Sequence, residues 1–217
     1  MKLSLALLAT IASPINAFTP TQTNTVGTRL QAFSKAAGGY DPSDFSSVEN
    51  LPGILDPTGL FDPVGFSNDV SESELKRYRE AELTHGRVAM LASVGYLVGE
   101  SGATPLFGGS ITGPANDQFW QVPLVFWSIL LLFIAIPETF RALRGWMEPT
   151  VPENYFQLRP GYIPGDIGFD PLGLKPEDPE EFKIMQTKEL QHARLAMLAA
   201  AGMMAQELKT GASLGLF

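Results

Sequence analysis

The chain has 217 residues, a net charge of −8 and no cysteine. The missing cysteine excludes disulfides, iron–sulfur clusters and thiol chemistry, and the acidic balance argues against nucleic acid as a partner. Charged residues make up 18%, below the usual ~25%, while glycine and proline number 21 and 17. That combination implies long apolar helices joined by turn-rich loops, in one compact unit once the leader is removed.

The leader comes first. Lys2 precedes an apolar run, Leu3 to Ile11, and the small residue Ala17 stands before Phe18. Residues 1–17 therefore read as a signal peptide. Residues 18–32 are rich in Thr, carry Arg29 and lack acidic groups, which is transit-peptide composition. A plain secreted protein is the alternative. The two segments in tandem resemble the bipartite presequence of algae with secondary plastids. Residues 33–217 then form the mature domain.

Three helices are expected in it. The first runs over about 75–100, with Ser71 or Ser73 as cap and Lys76, Arg77 and Arg79 in its polar first turns. The second runs over about 119–146, and its centre, Val122 to Ile136, carries no charge. With its flanks it approaches the ~20 residues that span a bilayer. A buried core helix is the alternative for this segment. The third runs over about 180–208.

Charge placement supports a membrane reading. The loop from Ser101 to Gln118 holds no Lys or Arg, whereas Arg141, Arg144, Arg159 and Lys175 lie between the second and third helices. Under the positive-inside rule both basic segments share one side, the stroma in a plastid. Three spans then place the N-terminus in the stroma and the C-terminus in the lumen. The tail after Leu208 leaves no room for a further amphipathic helix.

A repeat links the first and third helices. EAELTHGRVAMLASVG at 80–95 recurs as TKELQHARLAMLAAAG at 187–202. Glu82, His85 and Arg87 match Glu189, His192 and Arg194, each 107 positions apart, and the chain has only two histidines. Upstream, FDPVG at 61–65 matches FDPLG at 169–173. One such turn is commonplace. Two, each ahead of a matching helix, make a repeated unit of turn, acidic linker and helix.

The repeated charges need partners. Glu82 and His85 share a helical face, but Arg87 lies about 140° round from Glu82. A crossed partner helix resolves this, with Arg87 reaching Glu189 and Arg194 reaching Glu82. Each charge in a membrane costs about 2.5–3.5 kcal/mol, so four unpaired charges would cost on the order of 10 kcal/mol. Ala89 with Ser93 and Ala196 with Ala200 give small-xxx-small spacing for a close crossing, and Gly95 and Gly202 follow. Glutamate oxygen and imidazole nitrogen both ligate metals, but nothing here offers the oxygen shell that free Mg²⁺ or Ca²⁺ requires. A magnesium already held by a tetrapyrrole needs one axial ligand.

These motifs resemble the light-harvesting chlorophyll-binding family. ELTHGRVAML and ELQHARLAML look like its signature on the first and third helices, and GFDPLGL looks like its pre-helix motif. The resemblance covers about 50–210. It implies an all-α membrane protein of three transmembrane helices, the first and third crossed as a pseudo-two-fold pair. It implies that Glu82, His85, Glu189 and His192 are axial ligands of chlorophyll magnesium, and that Arg87 and Arg194 complete the pairs between helices. Gln206 matches a further ligand on the third helix. Glu138 with Arg141 resembles the Glu-x-x-Arg ligand site of the middle helix. Carotenoids would lie in the grooves of the crossed helices.

Departures from the family pattern narrow the branch. Gly99 stands where Gln206 falls in the repeat, and Leu130 stands where plant relatives carry a ligating Gln. With the bipartite leader and the absent plant-type C-terminal helix, this resembles the fucoxanthin chlorophyll a/c branch. Chlorophyll a, chlorophyll c, fucoxanthin and related carotenoids follow from that resemblance. So do a thylakoid location and, as partners, a photosystem I or II core and other antenna subunits.

The expected function is an antenna, not an enzyme. No nucleophile–base constellation or phosphate loop is present. A second reading is a photoprotective relative that quenches when the lumen acidifies. LPGILDPTGLFDP and MLAAAGMMAQEL resemble that stress-related branch as much as the harvesting ones. Its candidate sensors are Glu100, Asp117 and Glu207, each of which also reads as a plain solvated charge. A small ion or proton carrier is a third reading, since intramembrane Glu, His and Arg are its usual flag. Reciprocal pairing argues against it. A haem protein could use the two histidines but would not need the matched Glu–Arg pairs.

Overall fold

The computed structural model describes residues 40–46, 48, 51–101 and 106–215. Both leader segments, 1–17 and 18–32, lie outside the described residues. Helix α1 spans Glu72–Glu100, α2 Ala115–Gln121, α3 Leu124–Gly145 and α4 Pro179–Thr210. Among the described residues the chain is helical, with two isolated bridges, Leu55 with Gly59 and Trp146 with Leu158, and no longer strand.

Local chemistry sets the helix ends. Ser71 caps α1 in a capping box: its hydroxyl accepts from the Glu74 amide, and the Glu74 carboxylate accepts from the Ser71 amide. The helix therefore starts at Glu72, earlier than the expected 75. Asp178 caps α4, and Pro179 fills the first position, where a missing amide costs nothing. Gly211 ends α4 with φ 63°, the left-handed conformation that glycine takes without strain.

The expected second helix, 119–146, is two helices. Val122 (ψ 130°) and Pro123 (ψ 142°) are extended and separate α2 from α3. Proline disfavours helical backbone at the residue before it and has no amide to continue the ladder. Hydropathy carried the sequence reading across this point. The short helix α2 sits against α1 and α4 at their far ends.

The core is the face that α1 shares with α4. Leu83, Gly86 and Ala89 of α1 are buried against Leu190, Ala193 and Ala196 of α4. The closest approach is at Gly86, where an added Cβ would stand 2.3 Å from Ala193 Cβ. Ser93 Oγ donates to the Ala196 carbonyl at 3.1 Å. Gly95 and Gly202, expected to aid the crossing, are exposed with nothing within 4 Å of an added Cβ. The closest small-residue contact, Gly86 with Ala193, lies about two and a half turns earlier than they do.

Helix α3 buries almost nothing. It is the one helix among the described residues long and apolar enough to cross a membrane, and none of its apolar window is buried. That removes the core-helix alternative, because a core helix hides its apolar face. Its apolar surface faces outward over its whole length.

Candidate functional site

The shared spacing of the two motifs becomes a pair of mirrored contacts. Arg87 Nε donates to Glu189 Oε1 at 2.7 Å, and Arg194 Nε donates to Glu82 Oε1 at 2.8 Å. Two Pro-Gly loops flank them. Arg194 also donates to the Gly53 carbonyl at 2.6 Å, and Gly53 N donates to Thr187 Oγ1 at 3.2 Å. On the other side Gly165 N donates to Glu80 Oε2 at 2.7 Å. Both glycines have positive φ, and an added Cβ would press on Leu190 at Gly53 and on Leu83 at Gly165. Glycine is required there by conformation and by space.

The halves are not equal. Glu82 also meets Arg79 Nη1 at 3.1 Å, so both of its oxygens face a guanidinium. Glu189 has an oxygen, Oε2, that no donor reaches among the described residues. Beside the Arg87–Glu189 pair lies a cleft of about 410 Å³, lined by Arg79, Leu83, Arg87, Phe169, Glu189 and Leu190 among others.

Both histidines adopt one geometry. His85 Nδ1 lies 2.8 Å from the Ala81 carbonyl, and His192 Nδ1 lies 2.8 Å from the Lys188 carbonyl. A carbonyl only accepts, so Nδ1 carries the hydrogen, and in the neutral form of the ring Nε2 is left with a lone pair. Both rings are exposed, flanked by apolar neighbours such as Val88, Leu91, Leu195 and Leu198 that also face outward. Fixing the ring through its second nitrogen is how metal-ligating histidines are oriented.

Glu138 belongs to a charged knot that ties α3 to α1. Arg141 donates to Glu138 Oε2 through Nε (3.0 Å) and Nη2 (2.6 Å), and to Glu80 Oε1 through Nη1 (3.2 Å). Glu80 is 1% exposed. Its Oε2 accepts from Tyr162 Oη at 3.2 Å as well as from Gly165. Burial and then the Glu80 carboxylate push the Tyr162 phenol up, so it remains a donor. Sequence reading missed Glu80. It sits two positions before Glu82, and its partners are 61 to 85 residues away.

The two FDPxG segments are carboxylate-centred turns. Asp62 accepts from the amides of Gly65 (2.9 Å), Phe66 (3.0 Å) and Ser67 (2.7 Å) and from the Ser67 hydroxyl. The Ser67 hydroxyl and amide hold its carboxyl down at about 2. Asp170 accepts from Leu174 (3.0 Å) and Lys175 (2.8 Å). The turns leave Phe61, Val64, Phe169 and Leu172 exposed.

At the opposite end, Glu100 and Glu207 meet. They are matched positions of the repeat. Glu207 is 2% exposed, and its Oε2 accepts from Asn116 N at 2.8 Å. Glu100 Oε2 accepts from Leu214 N at 2.7 Å. The Oε1 atoms of both are buried without a donor. The solvated-charge reading of Glu207 therefore fails, whereas Asp117 is exposed. Gln206, on the neighbouring face, is exposed.

These donors fit a chelated metal better than a free one. Among the described residues no three of His, Asp and Glu gather closely enough to hold an ion. Glu189 Oε2, Glu138 Oε1 and the Nε2 atoms of His85 and His192 are uncommitted among the described residues, and the two histidines have apolar neighbours that face outward. A single donor of this kind can take one open axial position of a metal already held by a chelating ring.

Sequence comparison points the same way. Residues 47–208 match the family described as Chlorophyll A-B binding protein, and the chain belongs to that family. It is 50% identical over 169 residues to the light-harvesting complex stress-related protein 3.2 of Chlamydomonas reinhardtii, covering 76% of this chain and 65% of that one. It is 46% identical over 195 residues to a fucoxanthin-chlorophyll a-c binding protein of Isochrysis galbana, covering 88% and 93%. A chlorophyll a-b binding protein of Petunia hybrida is 31% identical over 205 residues. The chain thus spans slightly under two thirds of the length of the stress-related relative.

Proposed function

We propose that this protein is a light-harvesting antenna subunit of the plastid thylakoid membrane, with its N-terminus in the stroma and its C-terminus in the lumen. It binds chlorophyll a, chlorophyll c and fucoxanthin, the pigments in the names of its fucoxanthin relatives, together with related carotenoids. Helices α1, α3 and α4 are its three transmembrane spans. The reciprocal pairs Arg87–Glu189 and Arg194–Glu82 clamp α1 and α4 as a crossed pair. Its partners are a photosystem core and other antenna subunits.

One observation carries the reading. Two histidines at matched positions are locked through Nδ1 and present Nε2 to an apolar exterior. His85, Glu138, Glu189, His192 and Gln206 each supply one axial atom to a chlorophyll magnesium; Glu82, whose two oxygens each face a guanidinium, supplies only a remaining lone pair of one of them. Bound chlorophylls supply absorption and energy transfer. The chain supplies position, orientation and exclusion of water. No bond is made or broken by the protein. The absorption spectrum of the purified protein tests this. Chlorophyll and carotenoid bands are expected, and a colourless folded protein or a haem-type Soret band overturns it.

A second reading rests on the Glu100–Glu207 pair. Two facing carboxyl groups, Glu207 buried and Glu100 half-buried, each with a buried oxygen left without a donor, are costly when both are charged. Protonating one supplies a donor to the other. Lumen acidification would then stabilise the contact between the ends of α1 and α4, biasing a quenching state. The fluorescence lifetime of the pigmented protein at pH 7 and pH 5 separates the readings. Shortening at pH 5 that disappears in Glu207→Gln supports quenching, and an unchanged lifetime removes it.

A further inference from the structure

We infer that Glu80 is a positioning residue that keeps one oxygen of Glu138 free to ligate a chlorophyll magnesium. The inference rests on the proposed ligand role of Glu138. Its starting point is the way Arg141 divides its donors. A guanidinium beside a lone carboxylate prefers the fork geometry, one N–H to each oxygen. Here Nε and Nη2 both converge on Glu138 Oε2, at 3.0 and 2.6 Å. The third nitrogen, Nη1, is held at 3.2 Å by Glu80 Oε1. Among the described residues no donor reaches Glu138 Oε1.

Glu80 can hold Arg141 in this pose because it cannot itself move. It is 1% exposed, and its other oxygen is fixed by Gly165 N at 2.7 Å and Tyr162 Oη at 3.2 Å. Charge reinforces geometry. Two carboxylates share one guanidinium, so the group keeps one net negative charge. Without Glu80 the charges of Arg141 and Glu138 cancel. Arg141 is then free to turn and grip both oxygens of Glu138, which removes the ligand.

The repeat shows that the loop contact alone does not need a carboxylate. The matched position on α4 is Thr187, whose hydroxyl accepts from Gly53 N at 3.2 Å. A neutral acceptor suffices to hold that Pro-Gly loop. The charge of Glu80 is therefore surplus to loop binding and is directed at α3.

The test is reconstitution of the full chain with chlorophylls and carotenoids, counting chlorophyll per polypeptide and recording difference absorption spectra. Glu80→Gln is expected to lose one chlorophyll, with the same difference spectrum as Glu138→Leu. The double variant is expected to lose no more than either single one. Glu80→Thr, which copies the residue at the matched position, guards against a folding failure and is expected to show the same single loss. Full retention in both Glu80 variants, or losses that add to that of Glu138→Leu, overturns the inference. If Glu138→Leu itself loses no chlorophyll, the ligand role of Glu138 is wrong and the inference falls with it.

Discussion

Gly86 and Ala193 are the same position of the repeat, and they face each other. A Cβ at Gly86 would lie 2.3 Å from Ala193 Cβ and 3.1 Å from Ala193 Cα. The local pseudo-two-fold axis therefore passes between them. One methyl fits on that axis and two do not, so the repeat breaks its own identity there. Gly86→Ala is expected to force α1 and α4 apart and cost about 1–3 kcal/mol, the usual range for overpacking. Ala193→Gly in the same chain is expected to recover most of it. Thermal midpoints of the three variants check this, and a Gly86→Ala protein as stable as the parent contradicts it.

The arginines are expected to matter more to stability than the histidines. Arg87→Leu leaves Glu189 without its partner, at about 2.5–3.5 kcal/mol for a membrane-embedded charge. His85→Leu removes a ring that only its own helix holds, through the Ala81 carbonyl. Denaturation of the two variants in matched detergent reads the difference. Equal loss in both would contradict the clamp.

Asp62 gives a pH test outside the spanning segments. Its folded value, about 2, lies below the ordinary carboxylate value because the Ser67 hydroxyl and amide bind the charged form. A depressed folded value means the contribution is whole above about pH 4 and is lost as pH falls through about 2. The stability difference between the parent and Asp62→Asn is expected to stay constant above pH 4 and to shrink below it. An NMR titration of the Asp62 carboxyl with a midpoint near 4 would contradict the turn geometry.

What the sequence made legible, it did through repetition. Glu82, His85 and Arg87 stood out because a second copy fixed their spacing, and an arginine five residues from its glutamate implied a partner on another helix. Gly86 stood in the same motif and was overlooked, because its role is the absence of a side chain. Glu80 was hidden for a different reason. Its partners Arg141, Tyr162 and Gly165 come from segments that meet only in the fold. The break before α3 was readable at Pro123, but the apolar run across it masked the local rule. The Pro-Gly loops at 52–53 and 164–165 also recur, at a spacing different from that of the helices, and a search at one fixed period passes over them.

In the proposed antenna the two matched histidines each hold one chlorophyll. Chlorophyll per polypeptide in reconstituted His85→Leu, His192→Leu and the double variant tests it most directly. Each single variant is expected to lose one chlorophyll and the double variant two, with the α1–α4 pair still folded. An unchanged chlorophyll count in the double variant would contradict it.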